Sequence, residues 1–288
     1  MTSSRGRSPL SASATGAYLS LSLAAGLSLL FGSPARAELP TVASINLCTD
    51  QLLLSVADPA QILSLSWLAS DPEESMLAEA AARYPRNYGS AEEVIQVGAD
   101  VVLAGTLTSP FTRELLRRLG ARVVEIEPET SLDDTYRNLL AVGTAIDRDA
   151  EAELLVAGMR ARVDEIRARA PNPARNVVVV RPGGFTIGRE TLANDLLELA
   201  GLRNDVAELD RWGSLSVEAL LRANPEFVVI TRYRMHEASL ANAFFAHPAL
   251  ANFGAEQKTL AIEARQVACG APASLDAAAA LVLQMAAL

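Results

Sequence analysis

From Pro40 onward the chain alternates short apolar runs with stretches of helical spacing, and that alternation points to layered α/β folds built from parallel βα units. Val42–Ile45, Ile62–Leu65, Val101–Ala104 and Arg122–Ile126 read as strands of a first series. Asn176–Val180, Phe227–Thr231 and Thr259–Ile262 read as strands of a second. Helical spacing falls between them at Asp50–Ala57, Met76–Ala82, Ala91–Val97, Phe111–Leu119, Leu192–Ala200, Val217–Ala223 and Ser239–Phe245, with an alanine-rich helix from Ser274. Aromatic residues are few and alanine and leucine plentiful, which favours helix-rich α/β layers over a β-sandwich.

The two series are separated by a stretch of different character. Residues 131–170 contain no proline, and Leu139, Leu140, Val142, Ile146, Leu154, Leu155, Met159, Val163 and Ile166 recur at helical spacing. Ser131 with Asp134 makes a start signal and Pro171-Asn172-Pro173 a stop. This predicts one rigid helix joining an N-terminal lobe, 38–130, to a C-terminal lobe, 171–288. At 1.5 Å per residue it would be roughly 60 Å long. The alternative is two helices broken near Gly143 or Asp147 within one domain.

The lobes also share a motif. Ser90–Leu103 and Ser216–Val229 align without a gap, each giving a serine cap, a short helix, an acidic turn and an apolar strand. Either the lobe is duplicated or a common βα pattern recurs by chance. The alignment pairs Glu92 with Glu218, both in a first helical turn, where the helix dipole favours a carboxylate.

Residues 1–37 have the parts of a secretory signal: Arg5 and Arg7, an apolar run from Ala17 to Phe31, and Ala35-Arg36-Ala37 before Glu38. The run is shorter than the ~20 residues of a membrane-spanning helix. No cysteine follows it at a lipid-attachment position, because Cys48 lies well inside the chain. Without this segment 22 basic residues face 34 acidic ones, a net charge of −12 that argues against nucleic acid as a partner. Two cysteines in an exported chain suggest a Cys48–Cys269 disulfide, with two free thiols or a thiolate metal site as alternatives.

Taken in order, Ala43-Ser-Ile-Asn-Leu-Cys-Thr-Asp-Gln-Leu-Leu-Leu, the two S-x-E helices with their following strands, Leu119-Gly120, Thr191-Leu192 through Ala200-Gly201-Leu202 with Asn204, and His247-Pro248-Ala249-Leu250 resemble the periplasmic binding proteins that serve ABC importers for iron-siderophores and cobalamin. The resemblance runs over nearly the whole chain after residue 37. It implies two α/β lobes bridged by a long helix, a monomer in the periplasm without a lipid anchor, and no catalytic activity or resident cofactor. It also implies an inner-membrane permease as partner, with Glu92 and Glu218 at the matching positions as the carboxylates that dock on it.

Open parallel sheets bind ligands at the carboxyl ends of their strands. That rule nominates Asn46 and Asp50 after the first strand, Trp67 after the second, the Gly105–Ser109 loop, Arg181 at the head of the Pro182-Gly183-Gly184 turn, and Arg232, Tyr233 and Arg234. Tyr88 and Trp212 fall in nearby loops. Rings suit the faces of a metal chelate and arginines its anionic groups. Haem is the alternative ligand, held by Tyr88, Tyr233 or His236. A bare-metal receptor is disfavoured because the first lobe has no histidine. An exported α/β enzyme is the remaining alternative, but the nucleophile-elbow, P-loop and dinucleotide glycine patterns do not occur.

Overall fold

A computed structural model describes residues 38–206, 211–235, 239, 241, 244–248 and 258–288. The signal-like segment 1–37, His236 and, within the helix expected at Ser239–Phe245, residues 240, 242 and 243 lie outside the described residues. Residues 39–288 form one compact unit. Its described residues form two sheets of parallel strands and one small antiparallel pair.

In the first sheet β1 (Val42–Ser44) is central, with β2 (Ile62–Ser66) and β3 (Arg86–Asn87) on one side and β4 (Val101–Gly105) and β5 (Arg122–Ile126) on the other. In the second, β6 (Arg175–Val180) lies between β8 (Leu202–Asn204) and β10 (Phe227–Arg232), and β11 (Lys258–Glu263) closes the far edge. β7 (Phe185–Ile187) and β9 (Trp212–Ser214) pair antiparallel. The central strands are buried on both faces, which is why they read as unbroken apolar runs. Val101 and Leu103 point to one core, Val102 and Ala104 to another. Val177 and Val179 divide in the same way from Val178 and Val180.

The helices are α1 (Leu47–Val56), α2 (Ala78–Ala81), α3 (Ala91–Val97), α4 (Pro110–Arg118), α5 (Leu132–Ala145), α6 (Asp149–Arg169), α7 (Leu192–Leu199), α8 (Val217–Ala223) and α9 (Leu275–Ala286). One large core extends from α1 and β1 through α5 and α6 to α7, α9 and the second sheet. The predicted 40-residue strut is therefore wrong and the broken alternative right, because α5 and α6 pack on each other as a helical hairpin. The break has the hydrogen bond of a left-handed helix cap: Asp147 has φ +58°, and the Arg148 N–H donates back to Gly143 O at 2.8 Å. Gln61 Nε2 donates to the Ile146 carbonyl that helix termination exposes, at 2.9 Å. Close packing adds to this. A β-carbon on Gly143 would lie 2.5 Å from Ala152 Cβ, so only glycine lets α6 fold back so near α5.

The two aligned segments have the same local structure. Ser90 and Ser216 both cap seven-residue helices, accepting from Glu93 N–H at 3.2 Å and Ala219 N–H at 3.1 Å. Both helices end in a left-handed residue, Gly98 or Asn224, and feed the strand beside the central one, β4 or β10. Among the described residues, no helix is long and apolar enough to cross a membrane.

Candidate functional site

In each sheet the chain winds outward from the central strand in both directions, so a crevice opens where the strand order reverses. The switch points are β1/β4 in the first sheet and β6/β10 in the second. The segments after β2, β4, β5, β6, β10 and β11, with the β7–β9 pair, enclose a cavity of about 490 Å³ lined by both lobes. Leu107, Pro128, Glu129 and Ala268 are shared with a neighbouring cavity of about 190 Å³ that reaches Asn46 and Cys48.

Three of the nominated side chains line the larger cavity: Arg181, Trp212 and Tyr233. The Arg181 guanidinium stands 5.0 Å from the centroid of the Trp212 indole. Burial pushes its pKa down, and no carboxylate among the described residues pairs with it. The glycine turn at Gly183 and Gly184, with φ +78° and +74°, reverses the chain into β7 and so brings the β7–β9 pair back beside Arg181.

Other nominated residues sit elsewhere. Asn46 caps α1, accepting from Cys48 N–H at 3.0 Å, and borders only the smaller cavity. Asp50 is fully buried and points inward between α1 and the sheet, where it accepts from Ser66 N–H at 3.1 Å and Ser66 Oγ at 2.5 Å. Burial raises its pKa to about 7, against the lowering effect of its Ser44 and Ser66 hydrogen bonds. It is a structural acid and not a cleft residue. Trp67 and Tyr88 are exposed and stack on each other at 6.4 Å, and neither lines this cavity. Arg232 pairs with Glu263 at 3.5 Å over a separate cavity of about 230 Å³. Arg234 reaches across to the first lobe and binds Asp71 at 2.8 Å and Glu74 at 3.4 Å.

The cavity also has an acidic contribution that the sequence reading missed. Glu73, Glu74, Glu129 and Glu190 line it beside Arg181, Arg211 and Arg265. Glu129 follows β5, so the strand-end rule was sufficient to find it. Burial raises its pKa, partly offset by Asn138 Nδ2, which donates at 2.8 Å, and by the Gly270 amide. Glu190 and Arg211 border the β7–β9 pair, which had no sequence signal.

Cys48, in the first turn of α1, and Cys269 are bonded, with Cα atoms 5.0 Å apart. The bond ties the first sheet's switch point to the segment after β11. Gly270 is inserted tightly there, since a β-carbon on it would lie 2.2 Å from Thr135 Oγ1 and 2.7 Å from Glu129 Cγ. Glu92 and Glu218 are exposed in the first turns of α3 and α8. The first-turn amide and Ser216 hold the Glu218 carboxyl below the usual range, so it stays ionised.

Residues 42–267 match a family profile described as "Periplasmic binding protein". The "Uncharacterized ABC transporter substrate-binding lipoprotein YvrC" of Bacillus subtilis is 24% identical over 152 residues, 49% of this chain and 48% of that one. The match thus spans about half the length of that relative. Among solved structures, the periplasmic heme-binding protein HutB of Vibrio cholerae aligns over 85% of this chain and 98% of its own at 16% identity, with a TM-score of 0.73. The vitamin B12-binding protein BtuF of Vibrio cholerae aligns over 86% and 97% at 17% identity and a TM-score of 0.65. An ABC-type Fe3+-hydroxamate transport protein of Saccharomonospora viridis aligns over 85% and 93% at 21% identity and a TM-score of 0.64. At these identities they show a shared fold.

Proposed function

The chain belongs to the periplasmic binding protein family, and from that membership we propose that it captures a metal chelate, an iron-siderophore or cobalamin, between its two sheets and hands it to the permease of an ABC importer. The observation that carries the ligand class is the Arg181–Trp212 pair on the wall of a 490 Å³ cavity. That volume falls within the ~300–1,000 Å³ of pockets for organic ligands. A guanidinium removed from water without a carboxylate partner is costly until an anion meets it, and a carboxylate or chelating oxygen on the ligand does so. The indole beside it offers a flat apolar face. The names of the structural neighbours, for vitamin B12, heme and Fe3+-hydroxamate, support a chelate.

Haem is the second reading, favoured by neighbours named for heme and by Tyr233 on the cavity wall. To bind iron, the Tyr233 hydroxyl must give up the hydrogen bond it donates to Glu74 Oε1 at 2.7 Å. On either reading the protein is a monomeric carrier and not a catalyst, and Glu92 and Glu218 are its permease contacts. Its place is the periplasm.

The test is a thermal-shift panel of ferric hydroxamates, ferric catecholates, cyanocobalamin and haemin. A true ligand at 100 times its Kd adds about 2.7 kcal/mol to stability. Arg181→Ala should reduce that shift for the bound chelate alone. A panel without any shift, or a shift indifferent to Arg181→Ala, would overturn the proposed site.

A further inference from the structure

The lobes meet at a second set of contacts besides the disulfide, and these are polar and reversible. In the first lobe Asp71–Ser75 forms a tight turn, with Glu74 N–H and Ser75 N–H donating to Asp71 O at 3.1 and 2.9 Å and Glu73 N–H donating to Asp71 Oδ1 at 2.9 Å. Four consecutive positions of this turn, Asp71 to Glu74, are held from the second lobe or line the cavity with it. Arg234 Nη2 donates to Asp71 Oδ2 and Glu74 Oε1, at 2.8 and 3.4 Å. Tyr233 Oη donates to Glu74 Oε1 at 2.7 Å and accepts from Arg234 Nε at 3.2 Å. Arg265 Nη1 donates to Pro72 O at 2.6 Å. Glu73, Glu74, Tyr233 and Arg265 all line the 490 Å³ cavity, so this cluster is part of its wall.

We infer that the Asp71–Ser75 turn and the Tyr233–Arg234–Arg265 cluster form a latch that gates the cavity, and that the lobes open by breaking it while pivoting on the Cys48–Cys269 bond. Three features carry this. The disulfide, with Gly270 inserted between Glu129 and Thr135, cannot separate without covalent change, so any lobe motion must be taken up elsewhere along the boundary. The latch residues are partly solvated, at 30% exposure for the Arg234 side chain and 22% for both carboxylates, so water can replace their bonds at moderate cost. Arg234 also holds its place with φ +44°, a left-handed conformation that a non-glycine residue keeps only where its surroundings favour it. Because Glu74, Tyr233 and Arg265 face the cavity, a ligand bearing anionic oxygens competes with the two carboxylates for the same donors. Occupancy and latching are thereby coupled.

The inference does not depend on which ligand is carried, and it is read without one. Spin labels on Glu79→Cys and Arg222→Cys, both exposed and one in each lobe, report the separation of the lobes by pulsed dipolar spectroscopy in the protein with its native disulfide. The expected result is one dominant short distance in the parent and a longer population raised about tenfold in Tyr233→Phe/Arg234→Gln/Arg265→Gln, from the loss of several hydrogen bonds to charged groups. Tyr233→Phe alone removes one hydroxyl and keeps the ring, so it should fold regardless and move the population in the same direction by a smaller factor. Distance distributions that superimpose for the parent, Tyr233→Phe and any folded triple variant would sink the latch. A chelate panel that fails leaves this readout untouched.

Discussion

Asp50 links the interior of the first lobe to pH in a way that can be worked out quantitatively. Its carboxyl is fully buried, with a pKa raised from 3.8 to about 7, chiefly by desolvation. The sign follows from proton linkage: the folded state holds this proton more tightly than the unfolded chain, so the contribution of Asp50 is greatest below pH 4 and is lost as pH rises through 7. With those two pKa values, linkage gives a loss of about 2.5 kcal/mol between pH 5 and pH 8 from this one group. In a domain of this size that corresponds to roughly 5–10 °C in Tm. The perturbation is Asp50→Asn, which keeps an acceptor for Ser66 N–H, and the assay is urea unfolding at half-unit steps from pH 5 to 8. Glu129 titrates in the same direction, so the quantity to follow is the difference between parent and variant and not the parent curve alone. The parent should lose stability relative to Asp50→Asn as pH rises. A difference that stays flat over this interval refutes the assignment of a buried, proton-holding Asp50.

Replacing both cysteines by serine opens a covalent loop of 221 residues, which the chain-entropy model values at about 5 kcal/mol, so urea midpoints should fall sharply; an unchanged midpoint, or a non-reducing peptide map without the Cys48–Cys269 pair, contradicts the bond. Glu92→Lys with Glu218→Lys should abolish uptake of the chelate in cells while leaving the ligand-induced thermal shift intact, because both side chains are exposed on helices outside the cavity lining; loss of the shift together with uptake would mean that these carboxylates serve the fold or the ligand instead.

The elements legible in the sequence are those whose signals are local. α3, α8 and β5 fall at their expected limits, because a serine cap, a left-handed stop or a branched apolar run marks each end. The helix break at Ile146–Arg148 was only half legible. Apolar spacing continues through it, and what ends α5 is an aspartate in the left-handed region, a glycine that admits Ala152, and a glutamine 85 residues away that satisfies the freed carbonyl. Only the first two of these lie in the local sequence. The β7–β9 pair was not legible at all, since two three-residue strands separated by 24 residues carry no turn signal between them.

The cavity lining was legible to the extent that it depends on strand ends, and not where it depends on how each loop folds beyond them. Asn46, the Gly105–Leu107 loop, Arg181 and Tyr233 lie at the ends of the four strands that flank the two switch points, and all border the two cavities there. Trp67 and Tyr88 also follow parallel strands, but their rings stack on each other and do not line the 490 Å³ cavity, although Glu73 and Glu74 after β2 do. The residue types were equally suitable in both sets. What separates them is how each loop folds after its strand, since the loop after β2 brings Glu73 and Glu74 to the cavity and not Trp67, and that is decided by packing between segments tens of residues apart. Within a strand end the same limit applies at finer scale: Tyr233 lines the cavity while Arg232 turns to Glu263, because successive side chains of an extended segment point to opposite faces.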